Sequence, residues 1–161
     1  MKPLFIGAMG VITSTLAEGR ELYVEAIGLP LEQAEGTHFL HSEKLEGTKY
    51  FGVWPLAEAA KACFGNDSWP ADRPVPQVFV EFEMGSPRSV AKAASELALK
   101  GYALLHAPRR DPWGQTVARL QTKDGLIVGI SYVPWMHRRA PPRARRPRRP
   151  GPRARRGWGR S

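Results

Sequence analysis

The feature that most restricts how this chain can fold is an internal repeat. Gly28-Leu29 and Gly101-Tyr102 stand 73 residues apart, and at that one offset the strand-like stretches and helix caps before them also superpose. In the first copy an apolar stretch over 4–13 reads as a strand. Ser14 or Thr15 then offers a helix cap, with Glu18 at capping-box spacing from Thr15, and Leu16, Tyr23 and Ile27 make a buried stripe that Gly28 ends. In the second copy the strand is 77–84, Ser86-Pro87 is a cap followed by proline at the first helical position, and Val90, Ala94 and Leu97 make the stripe up to Gly101. Further strands are expected at 38–45 and 49–54 in the first copy, and at 102–106, 115–122 and 126–133 in the second. The turn signals are Glu46-Gly47, Asp111-Pro112 and Asp124-Gly125. Tyr50 to Pro55 after Gly47 is echoed by Gly129 to Trp135 after Gly125. A short helix over 57–64 and a loop rich in Pro, Asp and Asn over 65–76 join the copies. The expectation is an α+β fold of two modules, about 3–64 and 77–137.

The charge balance needs dividing before it says anything. Of 24 Lys and Arg, 11 are arginines between Arg138 and Arg160, where no acidic residue occurs, so residues 1–137 keep 13 basic against 15 acidic side chains. The folded part is therefore mildly acidic. Residues 138–161 use only Arg, Pro, Ala, Gly, Trp and a final Ser, and are expected to be disordered because they have too little apolar surface to offset the entropy of ordering. Eleven charges would release many counterions from a phosphate polymer, yet basic runs commonly occur without a role, and nucleic acid is not the expected partner. A single cysteine, Cys63, excludes an internal disulfide and fits a reducing, cytoplasmic setting. The apolar start after Lys2 imitates a signal peptide, but glycines interrupt it and a strand explains it. No apolar run is long enough for a membrane span.

Two stretches carry a resemblance. Ser14 to Tyr23, with Leu16, Glu21 and Tyr23, is similar to the first helix of the glyoxalase, bleomycin-resistance and extradiol-dioxygenase superfamily, also called vicinal oxygen chelate proteins. Pro112-Trp113-Gly114, with Asp124-Gly125 beginning eleven residues after Trp113, resembles a strand pair of its bleomycin-resistance branch. The likeness spans roughly 3–137 and implies two βαβββ modules that form an open, cup-shaped β-barrel, with helices outside and a ligand cavity within. Alternation supports a two-faced sheet independently. Val78, Val80, Phe82 and Met84 form an apolar face suited to packing under a helix, while Gln77, Phe79, Glu81 and Glu83 share the other. A face with two carboxylates is either solvated or lines a polar cavity, and the resemblance favours the cavity.

The resemblance also implies where a divalent metal would be held, by one His, Glu or Gln on the first and last strand of each module. Those positions carry over to Ala8 and Phe79 on the opening strands and to Phe51 and Gly129 on the closing ones, and none has a donor side chain. A register slip of one gives Gly7, Val80, Tyr50 and Val128, of which Tyr50 alone has an oxygen. No metal or other cofactor is expected. The alternative is a relocated divalent site using His41, Glu43 and Glu81; His38 points away from His41, and His106 and His137 sit near turns. The glycines over 7–10 lack the remainder of a dinucleotide fingerprint. Cys63 sits among alanines on a helix, where packing explains it better than nucleophilic chemistry.

The expected lining of the cup is Ile6, Ala8, Phe51, Val53, Phe79, Glu81, Gln115, Arg119 and Ser131, with Trp113 at the rim. Trp113 has a second reading as a turn residue pinned by Pro112 and Gly114. An apolar pocket with few polar groups suits a small organic ligand, flat or partly aromatic, stacked on Trp113 and oriented by Gln115 and Glu81. The leading expectation is a metal-free binding protein of this superfamily. The alternative is a glyoxalase-type lyase or a dioxygenase with a displaced metal, or with Glu81 as an unassisted base. A homodimer is compatible with both.

Overall fold

A computed structural model describes residues 1–137. The arm over 138–161, with its expected disorder and any nucleic-acid role, lies outside the described residues. The chain runs β1 (Phe5–Thr13), α1 (Leu16–Gly19, continued as a π-helical segment Arg20–Ala26), β2 (Glu32–Gln33), β3 (Leu40–Ser42), β4 (Phe51–Pro55) and α2 (Leu56–Phe64). It continues through β5 (Val78–Glu83), α3 (Pro87–Leu99), β6 (Leu104–Arg110), β7 (Thr116–Gln121), β8 (Ile127–Tyr132) and a closing 3-10 turn, Pro134–His137. The eight strands form one open sheet in the order β2-β3-β4-β1-β5-β8-β7-β6. Each half has the same internal order. Its first strand is parallel to its last (β1 to β4, β5 to β8), and the halves join where β1 and β5 run antiparallel.

Caps and stop residues set the helices. The Thr15 hydroxyl accepts from the Glu18 amide and Ser86 Oγ from the Ser89 amide, with Pro87 opening α3, while Gly28, Gly65 and Gly101 leave their helices at positive φ. The stripe on the first helix differs from expectation. Leu16 and Tyr23 pack on Leu40 and Val53 as expected, but Val24 joins them and Ile27 is exposed. The π-helical turn, in which the Ile27 amide donates to the carbonyl of Leu22, widens the repeat and rotates Ile27 off the buried face.

Register decides which face each residue serves. β1 skips Gly7 in its pairing, so Ile6 lies opposite Phe82 on the outer face and Ala8 opposite Glu81 on the inner one. α1 and α3 pack on the outer face of the two halves and leave Ile6 and Met9 of β1 exposed between them. Val90, Ala94 and Leu97 of α3 pack with Met84, Ala118, Leu120 and Ile130, and Phe82 joins that cluster. α2 lies on the inner face, where Ala59 and Cys63 pack on Ala8, Ile12, Trp54, Phe79 and Ile127. The edge strands are short or broken: β2 has two residues, and β6 contains Pro108 and two register shifts. No described helix is long and apolar enough to cross a membrane.

Candidate functional site

The inner face encloses a cavity of about 540 Å³ whose lining includes Ala8 of β1, His41 of β3, Trp54 of β4, Phe79 and Glu81 of β5, Arg109 of β6 and Arg119 of β7. In a flat sheet β3 and β6 would lie roughly 29 Å apart, at about 4.8 Å per strand. Residues from both reach one cavity because the sheet curls.

The floor is a row of alternating small and large residues across neighbouring strands. Ala8 pairs with Glu81, Glu81 with Gly129, and Gly129 with Arg119. Gly129 is the gap that makes the row work, since a Cβ there would lie 2.7 Å from Glu81 Cγ. The Glu81 side chain crosses this gap, and Arg119 Nη2 donates to its Oε1 at 3.1 Å. Gln115 Nε2 donates to the other oxygen, and Trp113 Nε1 donates to Gln115 Oε1 at 2.8 Å. Arg119 Nη1 reaches Asp111 Oδ2 at 3.3 Å, while Arg109 Nε reaches Asp111 Oδ1 at 3.2 Å. The Arg119 guanidinium lies 5.5 Å from the Trp54 ring centroid, and its side chain is only 2% exposed. Desolvation works against its charge, but Glu81 and Asp111 more than offset this and hold its pKa above the ordinary arginine value.

The facing wall is aromatic. Phe39, His41 and Tyr50 lie nearly parallel, His41 and Tyr50 with centroids 5.1 Å apart and planes 11° apart. Trp54 meets Phe39 and Phe79 edge-on. Burial, reinforced by the charges of Glu43 and Glu81, pushes the Tyr50 hydroxyl well above the usual tyrosine pKa.

A second buried carboxylate anchors the remaining wall. Glu83 is fully buried and accepts from Ser131 Oγ at 2.8 Å and from the Val133 amide; His137 Nε2 lies 3.3 Å away. These bonds hold the 3-10 turn whose Trp135 and Met136 face the cavity. Burial raises the Glu83 pKa above the usual carboxylate value, although its hydrogen bonds oppose the rise. The folded state therefore holds this proton more tightly than the unfolded chain, so the group's contribution is full below about pH 4.5 and is lost as pH rises through the raised value. Relative to the native chain, Glu83→Gln is expected to grow more stable as pH climbs from about 4.5 through the raised value. Urea unfolding of both chains across that range checks it, and a constant difference would contradict it.

Of the residues named from sequence, Ala8, Phe79, Glu81, Gln115 and Arg119 line the cavity, and exposed Trp113 stands at its mouth. Ile6, Phe51 and Val53 do not. Ile6 is turned outward by the Gly7 bulge, and Phe51 and Val53 face α1, leaving Tyr50, Gly52 and Trp54 on the inner side of that strand. Ser131 is on the inner face but is spent on Glu83. His41, Glu43 and Glu81 all border the cavity; yet among the described residues no three His, Cys, Asp or Glu side chains are grouped so as to hold a metal ion. Cys63 is packed in the core, where burial pushes its thiol up to about 11. His106 is likewise held below the usual histidine pKa by burial. The sequence reading missed Glu35, Phe39, Trp54, Arg109, Asp111, Trp135 and Met136 as lining residues. Two arginines immediately before a lone Asp at a turn were the available signal for Arg109 and Asp111.

No protein-family model and no curated protein sequence matches the chain. Solved structures do, and they give the fold of the glyoxalase, bleomycin-resistance and dioxygenase superfamily. One is a superfamily member from Vibrio splendidus 12B01, 14% identical over 81% of this chain and 99% of its own, with a TM-score of 0.52. Another is Streptomyces coelicolor methylmalonyl-CoA epimerase in complex with 2-nitronate-propionyl-CoA, 19% identical over 81% and 95%, TM-score 0.52. A third is a structure described as an NAD-dependent benzaldehyde dehydrogenase from Legionella pneumophila, 12% identical over 78% and 97%, TM-score 0.53. Likeness at this level establishes the scaffold and leaves the chemistry to the site.

Proposed function

We propose that the protein holds a small, flat organic molecule in the inner cavity without a metal ion. The observation that carries this is the Ala8, Glu81, Gly129, Arg119 row. Of the four positions where the superfamily resemblance would put metal ligands, Ala8, Phe79 and Gly129 offer no side-chain donor and Phe51 is turned toward α1, while a guanidinium fixed across Gly129 opposes any cation placed beside Glu81. The residues present do not fit the metal. Both Glu81 oxygens are engaged by Arg119 and Gln115, and this supports holding a ligand over abstracting a proton with Glu81. The ring-lined wall supplies flat apolar contact area, which suits a planar partner. The single core cysteine fits a reducing compartment.

The test is metal analysis of purified full-length protein alongside a thermal-shift series of planar aromatics and divalent ions. Aromatics are expected to raise the melting temperature equally well before and after chelator treatment. Stoichiometric zinc, nickel, manganese or iron that disappears in His41→Ala would defeat the proposal.

A further inference from the structure

We infer that the cavity selects a planar organic cation, a fused or single aromatic ring carrying a protonated amine or quaternary nitrogen, lying on the Phe39, His41, Tyr50 wall with its charge toward Glu35 and Glu43. This rests on the cavity being a small-molecule site.

The charges that border the cavity separate into two kinds. Each basic group is already matched: Arg119 by Glu81 and Asp111, Arg109 by Asp111 and the Ala62 carbonyl, and Lys61 by Glu58. Among the described residues no cation of the lining is left over for an anionic ligand. Glu35 and Glu43 also line the cavity, are exposed to solvent, and have no ion pair or side-chain hydrogen bond among the described residues. They flank the stretch that carries Phe39 and His41, so two unmatched carboxylates border one aromatic wall.

The wall itself favours the same sign. Aromatic faces carry negative quadrupole charge and attract cations, more strongly where the site is partly desolvated. The near-parallel rings give a ligand plane one direction in which to lie. A ligand bearing phosphates, by contrast, would meet two unmatched carboxylates and, among the described residues of the lining, no unmatched cation.

Calorimetric titration of the full chain with three related rings tests this: 9-aminoacridine as the cation, acridine as the neutral ring and 9-anthracenecarboxylate as the anion, at neutral pH and physiological salt. A synthetic peptide of 138–161 serves as the control for ions held by the arginine-rich segment. The cation is expected to bind about tenfold more tightly than the neutral ring, which corresponds to about 1.4 kcal/mol, and the anion most weakly. In Glu35→Gln/Glu43→Gln the cation should fall to roughly the affinity of the neutral ring, whose own binding stays unchanged; both positions are exposed, so folding is not at risk. Equal binding of cation and neutral ring, or a cation preference that survives the double substitution, overturns the inference while leaving the small-molecule reading intact. Failure of all three rings to bind overturns both.

Discussion

Arg119→Met is expected to cost about 3–5 kcal/mol of folding stability, because it strands buried carboxylate charge on the cavity floor. Glu81 loses its ionic partner outright, while Asp111 keeps Arg109. The stacking of the guanidinium against Trp54 goes as well. Single domains are stable by only about 5–15 kcal/mol, so this one change consumes a large share of the total. The companion variant separates the cause. In Arg119→Met/Glu81→Gln no unpaired charge remains at position 81, and part of the lost stability should return, which urea denaturation of the two variants reads directly. A single-variant cost below about 1 kcal/mol would place the pair in the class of weak surface bridges and contradict the burial argument.

Three glycine substitutions should fall in a fixed order. Gly10→Ala is expected to cost more than about 4 kcal/mol or to abolish folding, in the range reserved for severe core defects. Its Cβ would lie 2.0 Å from the Gly52 carbonyl oxygen and 2.6 Å from Phe79 Cε1, and the backbone contact can be relieved only by parting β1 from β4. At Gly129 the obstacle is the Glu81 side chain, which can swing aside at the expense of its bond to Arg119, so the loss there should be intermediate. Gly85→Ala meets nothing nearer than Leu4 Cδ1 at 3.8 Å and should stay within about 0.5 kcal/mol of the native chain. Denaturation midpoints give the order, and Gly10→Ala behaving like Gly85→Ala would show that β1 and β4 are held less closely at Gly10 and Gly52 than this contact implies.

How much of this could be read from the sequence depended on whether the local pattern had one interpretation. α3 and β5 were legible because a serine cap followed by proline, and strict alternation of Phe79, Glu81 and Glu83 against Val80 and Phe82, each admit one geometry. β4 was not, since Tyr50 and Trp54 are largely apolar like Phe51 and Val53, and such a run does not tell which pair faces α1. Ile27 was misassigned because a 3.6-residue repeat was applied to a π-helical turn. On the cavity floor Glu81, Gln115 and Arg119 were recognised singly, but their mutual bonding depends on cross-strand register through Gly129, which no local pattern encodes. Trp135 and Met136 lie beyond the last strand, and their role depends on Glu83, 50 or more residues earlier.

The two ends of the sheet have a consequence for the protein in concentrated solution. One border is a two-residue strand, and the other is interrupted by Pro108 and by two slips in pairing. Neither presents the long run of free amides and carbonyls that a neighbouring copy needs in order to extend a ladder. Fibril growth by stacking of native molecules is thereby blocked at both borders. Copies that pair must therefore do so through a surface other than a strand ladder at these borders.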